Sequence, residues 1–336
     1  MGQAKKVTIY DVAKAAGVSA STVSRALRQP DRISSDTAAR IFKTAKELGY
    51  AISGSSYQQD AALTKTFAVV VADIANPMFA GVLRGFQNEA ASAGYGTVII
   101  NSEESEVLEG RAIRDVIRNV DGVALAASRL NANTINQIER LKPLVLLNRF
   151  VAGHNCVLPD TASGMSQVVT HLKKLGHSHV LYVAGPPRSW ANEMRWRQLS
   201  ELGLKNGLVV TRTEPQMPDV NGGRSGAEAW KDSGAANTAV VAYNDMMAAG
   251  FMAQLHTWGV AIPDEVSVVG IDDTFICDLC SPRLASLSSE PETLGVRGAQ
   301  LLLWQATHLE HRGRQIVNVP IPFVTRESTG RARVDE

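Results

Sequence analysis

From Phe67 onward the sequence keeps one rhythm: a continuous apolar run, a polar residue at its end, then a stretch with helical spacing. The runs are FAVVVAD, TVIIN, GVALAAS, LVLLNR, HVLYVAGP, AVVAYND and VSVVGIDD. An unbroken apolar strand has no face to offer water, so each is expected in a parallel sheet covered on both sides by helices. Helical stretches between the runs include about Met78–Ala93, Ser163–Leu175, Asp245–Trp258 and Glu292–Thr307. The pattern predicts an α/β body of doubly wound lobes. Open sheets of this kind bind ligands at the carboxyl ends of their strands. The polar residues at or just after the run ends are therefore the candidate pocket: Asn76, Asn148, Arg149, Asn244 and Asp272.

Each of these positions has a second physical use, because Asn and Asp also cap helices that follow strands. Asp245 is read as the cap of its helix. Phe79, in Asn76-Pro77-Met78-Phe79, offers the pocket an apolar wall. Trp190 and Trp196 flank Arg195 and can stack on a sugar face, although helical spacing puts Trp196 in the core. His171, His177 and His179 are close in sequence, but a helix and its Gly176 stop separate them. They are read as surface or capping histidines, and no metal site is expected. Cys277-Asp278-Leu279-Cys280 has CxxC spacing without a second ligand pair or a thioredoxin-like setting, so its thiols are read as incidental. An odd count of three cysteines in a large chain fits a reducing cytoplasm. Hydrophobic residues at 45% suffice for sizeable cores without a disulfide or metal staple, and no cofactor is expected.

Charge is unevenly spread. Residues 1–50 hold nine Lys/Arg and four Asp/Glu, a surplus of +5, so the remainder carries −4 of the overall +1. A basic head on an acidic body points to a nucleic-acid contact confined to the head. Thr8-Ile9-Tyr10-Asp11 is a capping box that starts a short helix with Ile9, Val12, Ala13 and Ala16 facing inward. Gly17 ends that helix, and Ser19 caps a second one running from Ala20 to about Arg28, with Val23 and Leu27 inward. Two helices joined by so short a turn make a helix-turn-helix. A third helix from near Ser34 places Ala38, Ile41, Ala45 and Leu48 on one face, and Gly49 stops it. The second helix is expected to expose Ala20, Ser21, Thr22, Ser24, Arg25 and Arg28. These are small groups, hydroxyls and guanidinium with no acid, suited to base edges and phosphates.

The stretch TIYDVAKAAGVSASTVSRAL resembles the DNA-binding signature of the LacI/GalR repressor family, and the likeness runs from Thr8 through Tyr50. It implies that Ala20, Ser21 and Arg25 read bases in the major groove. It further implies that Thr8, Tyr10, Ser19, Thr22 and Ser24 grip the sugar-phosphate backbone. The body is similar to the family's sensor through ANPMFAGVLRGF, AGPPRSWANEMRWR, AYNDMMAAG and VVGIDD. That implies two lobes of periplasmic-binding-protein type, the chain crossing between them near residues 159, 289 and 320. The expected fold class is an all-α helix-turn-helix head plus an α/β body of two doubly wound lobes. The head covers residues 6–60. The body covers 66–328, with lobes of about 66–158 plus 290–320 and 159–289 plus 321–328. Arg195, after the AGPP turn, falls where the family uses an arginine against ligand oxygens. Arg149 and Arg195 are expected on opposite lobes facing one cavity. Pairing of an arginine with Asp272 would suit a neutral sugar, whereas an anionic ligand would answer both arginines directly and tilts the reading slightly toward a sugar acid. Arg195→Ala is expected to abolish effector binding and leave the fold intact.

The segment after Tyr50 departs from the family. Ile52-Ser53 stands where Pro-Asn is usual, and Gln59 where a leucine wedges into the minor groove; Gly54 and the nearby serines lower helix propensity. A flexible linker and a divergent hinge helix both fit, and a smaller kink in the DNA is expected. The implied partners are double-stranded operator DNA, a sugar or sugar-acid effector, and a second copy of the chain, with a tetramer left open. A transport binding protein is opposed by the helix-turn-helix and by the start MGQAKKVTIY, which is read as having no secretory signal. An enzyme is opposed by the lack of GxxxxGK[ST], of GxGxxG after a strand, and of GxSxG. The longest apolar run, Phe67–Ala72, is broken by Asp73, so no membrane span is expected.

Overall fold

The computed structural model describes residues 7–28, 33–48, 63–308 and 314–333, and the chain divides into two units, Met1–Ala62 and Leu63–Glu336. In the first unit, helices α1 (Ile9–Ala16), α2 (Ala20–Arg28) and α3 (Ser35–Glu47) enclose a small core of Val12, Ala13, Ala16, Val23, Ala26, Ile41 and Ala45. Thr8 donates through both its backbone N and Oγ1 to Asp11 Oδ2, each at 2.7 Å, which fixes where α1 begins. Gly17, at φ 64°, reverses the chain, and Ser19 Oγ accepts from Thr22 N at 3.1 Å to start α2. Leu48 was expected inward but is 38% exposed, although its N still donates to Thr44 O at 3.1 Å at the C-terminal end of α3. Residues 51–60, and with them Gln59 and the hinge reading, lie outside the described residues. So do Gly49, Tyr50 and the side chains of Leu27 and Arg28.

The second unit begins with β1 (Thr66–Val71), α4 (Pro77–Ser92), β2 (Gly96–Asn101), α5 (Glu106–Val116), β3 (Gly122–Ala126), α6 (Ala132–Leu141), β4 (Leu144–Leu147) and β5 (Asn155–Pro159). It continues with α7 (Thr161–Lys174), β6 (His179–Val183), α8 (Trp190–Lys205), β7 (Val209–Arg212), α9 (Val220–Asp232), β8 (Ala239–Ala242), α10 (Asp245–Thr257), β9 (Ser267–Asp272), α11 (Ile276–Leu279) and β10 (Ala285–Ser288). It ends with α12 (Pro291–Thr307), β11 (Ile316–Val319) and β12 (Phe323–Val324). One sheet has the order β11-β5-β4-β3-β1-β2 and the other β12-β10-β9-β8-β6-β7. The strands pair in parallel except β10 with β12. The chain passes between the sheets after β5, after β10 and after β11, so three segments join the lobes.

The continuous apolar runs follow from this layering. In β1, Phe67, Val69 and Val71 enter the core on one face of the sheet, while Ala68 and Val70 enter the core on the other. Edge strands differ from expectation. Val98 and Ile99 in TVIIN are 40% and 39% exposed, because β2 ends its sheet and has a neighbour on one side only. Each lobe also contains one helix pair in backbone contact. A Cβ on Gly85 of α4 would stand 2.1 Å from Glu292 O, and one on Gly295 of α12 would stand 2.1 Å from Val82 O. In the second lobe, Gly223 of α9 and Gly250 of α10 play the same part against Met247 O and Val220 O. Among the described residues no helix is long and apolar enough to cross a membrane.

Candidate functional site

The carboxyl ends of both sheets meet at a cleft lined by Asn76, Met78, Phe79, Glu104, Ala127 and Asn148 from the first lobe. Arg195, Pro218, Tyr243 and Asp272 line it from the second. Its open space is about 10 Å³, enough for one water, so a sugar ring enters only if the lobes part. A larger surface groove of about 400 Å³, between α12 and β11 on the first lobe, contains none of the predicted pocket residues.

The backbone around the cleft is unusual. Glu104 (φ 58°), Ala127 (φ 53°), Asn148 (φ 52°) and Asp272 (φ 116°) all have left-handed or neighbouring positive φ without being glycine. Such conformations cost about 1–3 kcal/mol each and persist where the surrounding structure over-determines them, which is typical of ligand sites.

Arg195 is 4% exposed. It donates through Nη1 to Tyr243 O and through Nη2 to Asp272 Oδ1 at 3.1 Å, and its guanidinium lies 4.7 Å from the Tyr243 ring centroid. Burial alone would lower its pKa, but Asp272 and the tyrosine hydroxyls outweigh burial and keep the guanidinium charged. Burial raises the Asp272 pKa more than Arg195 and the 2.6 Å hydrogen bond from Ser289 Oγ lower it. Asp245 is buried behind Asp272, and burial followed by the Asp272 charge pushes its pKa up to about 7.

Several expectations are corrected here. Asp245 does not cap its helix. Asn244 does, with Oδ1 accepting from Met247 N at 2.9 Å, while Asp245 accepts from Thr274 N, Thr274 Oγ1 and Ser286 Oγ. Asn244 also donates to Pro218 O at 2.9 Å and does not line the cleft. Asn76 lines the cleft and caps α4 as well, accepting from Met78 N at 3.0 Å. Arg149 does not face Arg195. The left-handed turn at Asn148 sends its guanidinium back into the first lobe, to Ser128 O at 2.6 Å and Leu130 O at 2.7 Å. The arginine that approaches the cleft from that lobe is Arg129, paired through Nε with Glu104 Oε2 at 2.6 Å and interacting with Tyr243 of the other lobe.

Glu104, Arg129 and Tyr243 were missing from the sequence reading. The strand-end rule would have reached Glu104 and Arg129 had it been carried past TVIIN and GVALAAS, and Tyr243 precedes a residue that was named. Trp196 packs on the second-lobe core, and Trp190 packs against the cores of both lobes. His177 is buried rather than exposed, hydrogen-bonded to Thr238 Oγ1, Ser267 Oγ and Gly330 O, and burial lowers its pKa. The cysteines are free, and burial raises the Cys277 pKa.

In the head, Tyr10 is 72% exposed, and Thr8, Ser19, Ser21 and Arg25 are also exposed. Thr22 and Ser24 are half-buried, and Ala20, expected outward, packs partly against the head core. The Ser19, Ser21 and Thr22 hydroxyls cluster at the α2 N-terminus, with Ser19 Oγ 2.8 Å from Ser21 Oγ and 2.7 Å from Thr22 Oγ1. No acid lies in the first turn of α2, so its positive dipole end is open to a phosphate.

Residues 8–53 match the description "Bacterial regulatory proteins, lacI family", and residues 169–329 match "Periplasmic binding protein-like domain". The chain is similar to the HTH-type transcriptional regulator GalR of Salmonella typhimurium, 30% identical over 305 residues that cover 88% of each protein. It is similar to the HTH-type transcriptional repressor CytR of Escherichia coli, 29% identical over 335 residues that cover 97% of each. Among solved structures it is similar to the transcriptional regulator CelR–cellobiose complex, with 25% identity and a TM-score of 0.72 over 96% of this chain and 99% of that one.

Proposed function

The chain belongs to the LacI family of bacterial regulatory proteins and is a helix-turn-helix transcription regulator, and from that premise we propose that a sugar held in the interlobe cleft sets its affinity for operator DNA. The observation that carries this reading is the cleft itself: polar strand-end residues of both lobes converge on one closed space. A ligand that touches both sides has different contacts in the open and closed arrangements, and only such a ligand can shift the balance between them. The bound sugar of the CelR complex supports the ligand class.

In this reading Ala20, Ser21 and Arg25 read base edges, while Thr8, Tyr10, Ser19, Thr22 and Ser24 hold the phosphate backbone. One head offers one recognition helix, so the working unit is a homodimer on a pseudo-palindromic operator. The protein acts in the cytoplasm as a repressor, the role that the name of the CytR relative carries.

The test selects operators for the full chain from a random duplex library, then measures fluorescence anisotropy on the best duplex against a sugar panel. One or more sugars should change the operator Kd, and Phe79→Ala should blunt that response without changing operator choice. If no sugar changes the Kd, the effector reading fails.

A further inference from the structure

We propose that Glu104, held by Arg129, is a specificity-determining residue of the cleft that selects an uncharged polyhydroxylated ligand over its anionic counterpart. The inference rests on the cleft being the effector site. It departs from the tilt toward a sugar acid, whose premise was two unpaired arginines facing one cavity.

Both arginines near the cleft are already matched. Arg195 pairs with Asp272 in the second lobe, and Arg129 pairs with Glu104 in the first. The two pairs are built alike. Arg129 reaches Glu104 through Nε and Nη2, and both contacts fall on Oε2. Arg195 Nη2 and Ser289 Oγ both reach Asp272 on Oδ1. Each carboxylate therefore spends one oxygen on the protein, and Glu104 Oε1 and Asp272 Oδ2 have no protein hydrogen-bond partner among the described residues. Both residues line the cleft. The first lobe thus offers a carboxylate acceptor opposite the one in the second lobe.

A carboxylate oxygen accepts hydrogen bonds and donates none, so its natural partner is a hydroxyl. The two pairs sum to zero charge, and Asp73 near Glu104 adds negative potential. An incoming carboxylate or phosphate would face acceptors on both sides, and both guanidinium groups are already ion-paired, although Arg129 Nη2 has Glu104 Oε2 as its charge partner without a hydrogen bond of its own. A polyol can donate to Glu104 and Asp272 and still use the amides of Asn76 and Asn148. Backbone geometry independently marks Glu104 as placed rather than incidental. Glu103 and Glu104 are consecutive non-glycine residues in the left-handed region, at φ 50° and 58°, and Glu104 N donates to Ala72 O at 2.8 Å. That turn aims the carboxylate at the cleft instead of letting it follow the strand outward.

The experiment uses the full chain and matched probes: D-glucose, D-glucuronate and glucose 6-phosphate; D-galactose and D-galacturonate; D-ribose and ribose 5-phosphate; and cellobiose. Thermal shift finds binders and calorimetry measures them. A neutral sugar should bind at least about tenfold more tightly than its acid or phosphate partner. Glu104→Gln should weaken the neutral sugar about tenfold and tighten the anionic partner, because Arg129 then lacks its carboxylate. A role confined to folding would not move the two ligands in opposite directions.

The inference is overturned if an anionic probe outbinds its neutral partner, if no neutral probe binds, or if a folded Glu104→Gln chain keeps the parent's ratio. The parent's own ratio decides the matter should Glu104→Gln fail to fold. An anion whose binding is lost in Phe79→Ala would sink this inference and leave the cleft as the effector site. Failure of every probe both to bind and to alter operator Kd would sink the effector reading as well.

Discussion

Arg195→Ala should cost the fold as well as the ligand, contrary to the expectation from sequence that it spares the fold. Arg195 is 4% exposed, and its removal leaves the Asp272 carboxylate, 3% exposed, without its cation and next to Asp245. Breaking one side of a buried ion pair costs roughly 3–5 kcal/mol, because the surviving charge is stranded. The loss of the guanidinium's stacking on Tyr243 falls within that figure rather than adding to it, since both contacts belong to one side chain. At about 2–4 °C per kcal/mol for a domain of this size, the melting temperature should fall by roughly 10 °C.

The stranded carboxyl has one escape, which is to take up a proton. Without Arg195 its pKa rises further, so the penalty should be smallest at acid pH and grow as pH rises. Adding Asp272→Asn to Arg195→Ala removes the stranded charge and should recover part of the loss. The assay is differential scanning fluorimetry of the parent, both single variants and the double variant at several pH values. Equal melting of Arg195→Ala and the parent would refute the reasoning, and so would a double variant no more stable than Arg195→Ala.

Arg25→Ala should cost on the order of 1–3 kcal/mol of operator binding and relax preference at one base of each half-site, read by competition among single-base operator variants. A uniform loss across all sequences would mean that Arg25 holds phosphate only. Operator affinity should also fall steeply with salt, because the head carries a surplus of +5 and displaces counterions. Gly85→Ala should destabilise the first lobe by roughly 1–3 kcal/mol or more, since its Cβ would stand 2.1 Å from the Glu292 carbonyl oxygen; an unchanged urea midpoint would count against the close helix contact. Asp245, whose folded pKa is raised to about 7 from 3.8, binds its proton more tightly in the folded chain, so its contribution to stability falls as pH rises between those values. Asp245→Asn should flatten that part of the stability profile, and an unaltered slope in chemical denaturation at pH 4 to 8 would exclude the assignment.

The local features were legible in the sequence because they depend on neighbours in the chain. The Thr8–Asp11 box, the Gly17 turn and the Ser19 cap each act across a few residues, and the apolar runs announce strands whose two faces are both covered. The strand-end rule likewise named Asn76, Asn148 and Asp272, which line the cleft; Phe79 and Arg195 also line it, the first read as an apolar wall and the second carried by the family resemblance. Which way a side chain leaves a strand end was decided only in three dimensions. Arg149 and Arg129 both follow apolar runs, yet the left-handed backbone at Asn148 turns Arg149 inward, while Arg129 reaches Glu104. Charge pairing was hidden for the same reason. Arg129 and Glu104 lie 25 residues apart, and Arg195 and Asp272 lie 77 apart. Periodicity reports how much of a segment is buried, but the partner of a buried charge is set by the crossovers that bring distant strand ends together, and those are fixed when the sheets assemble.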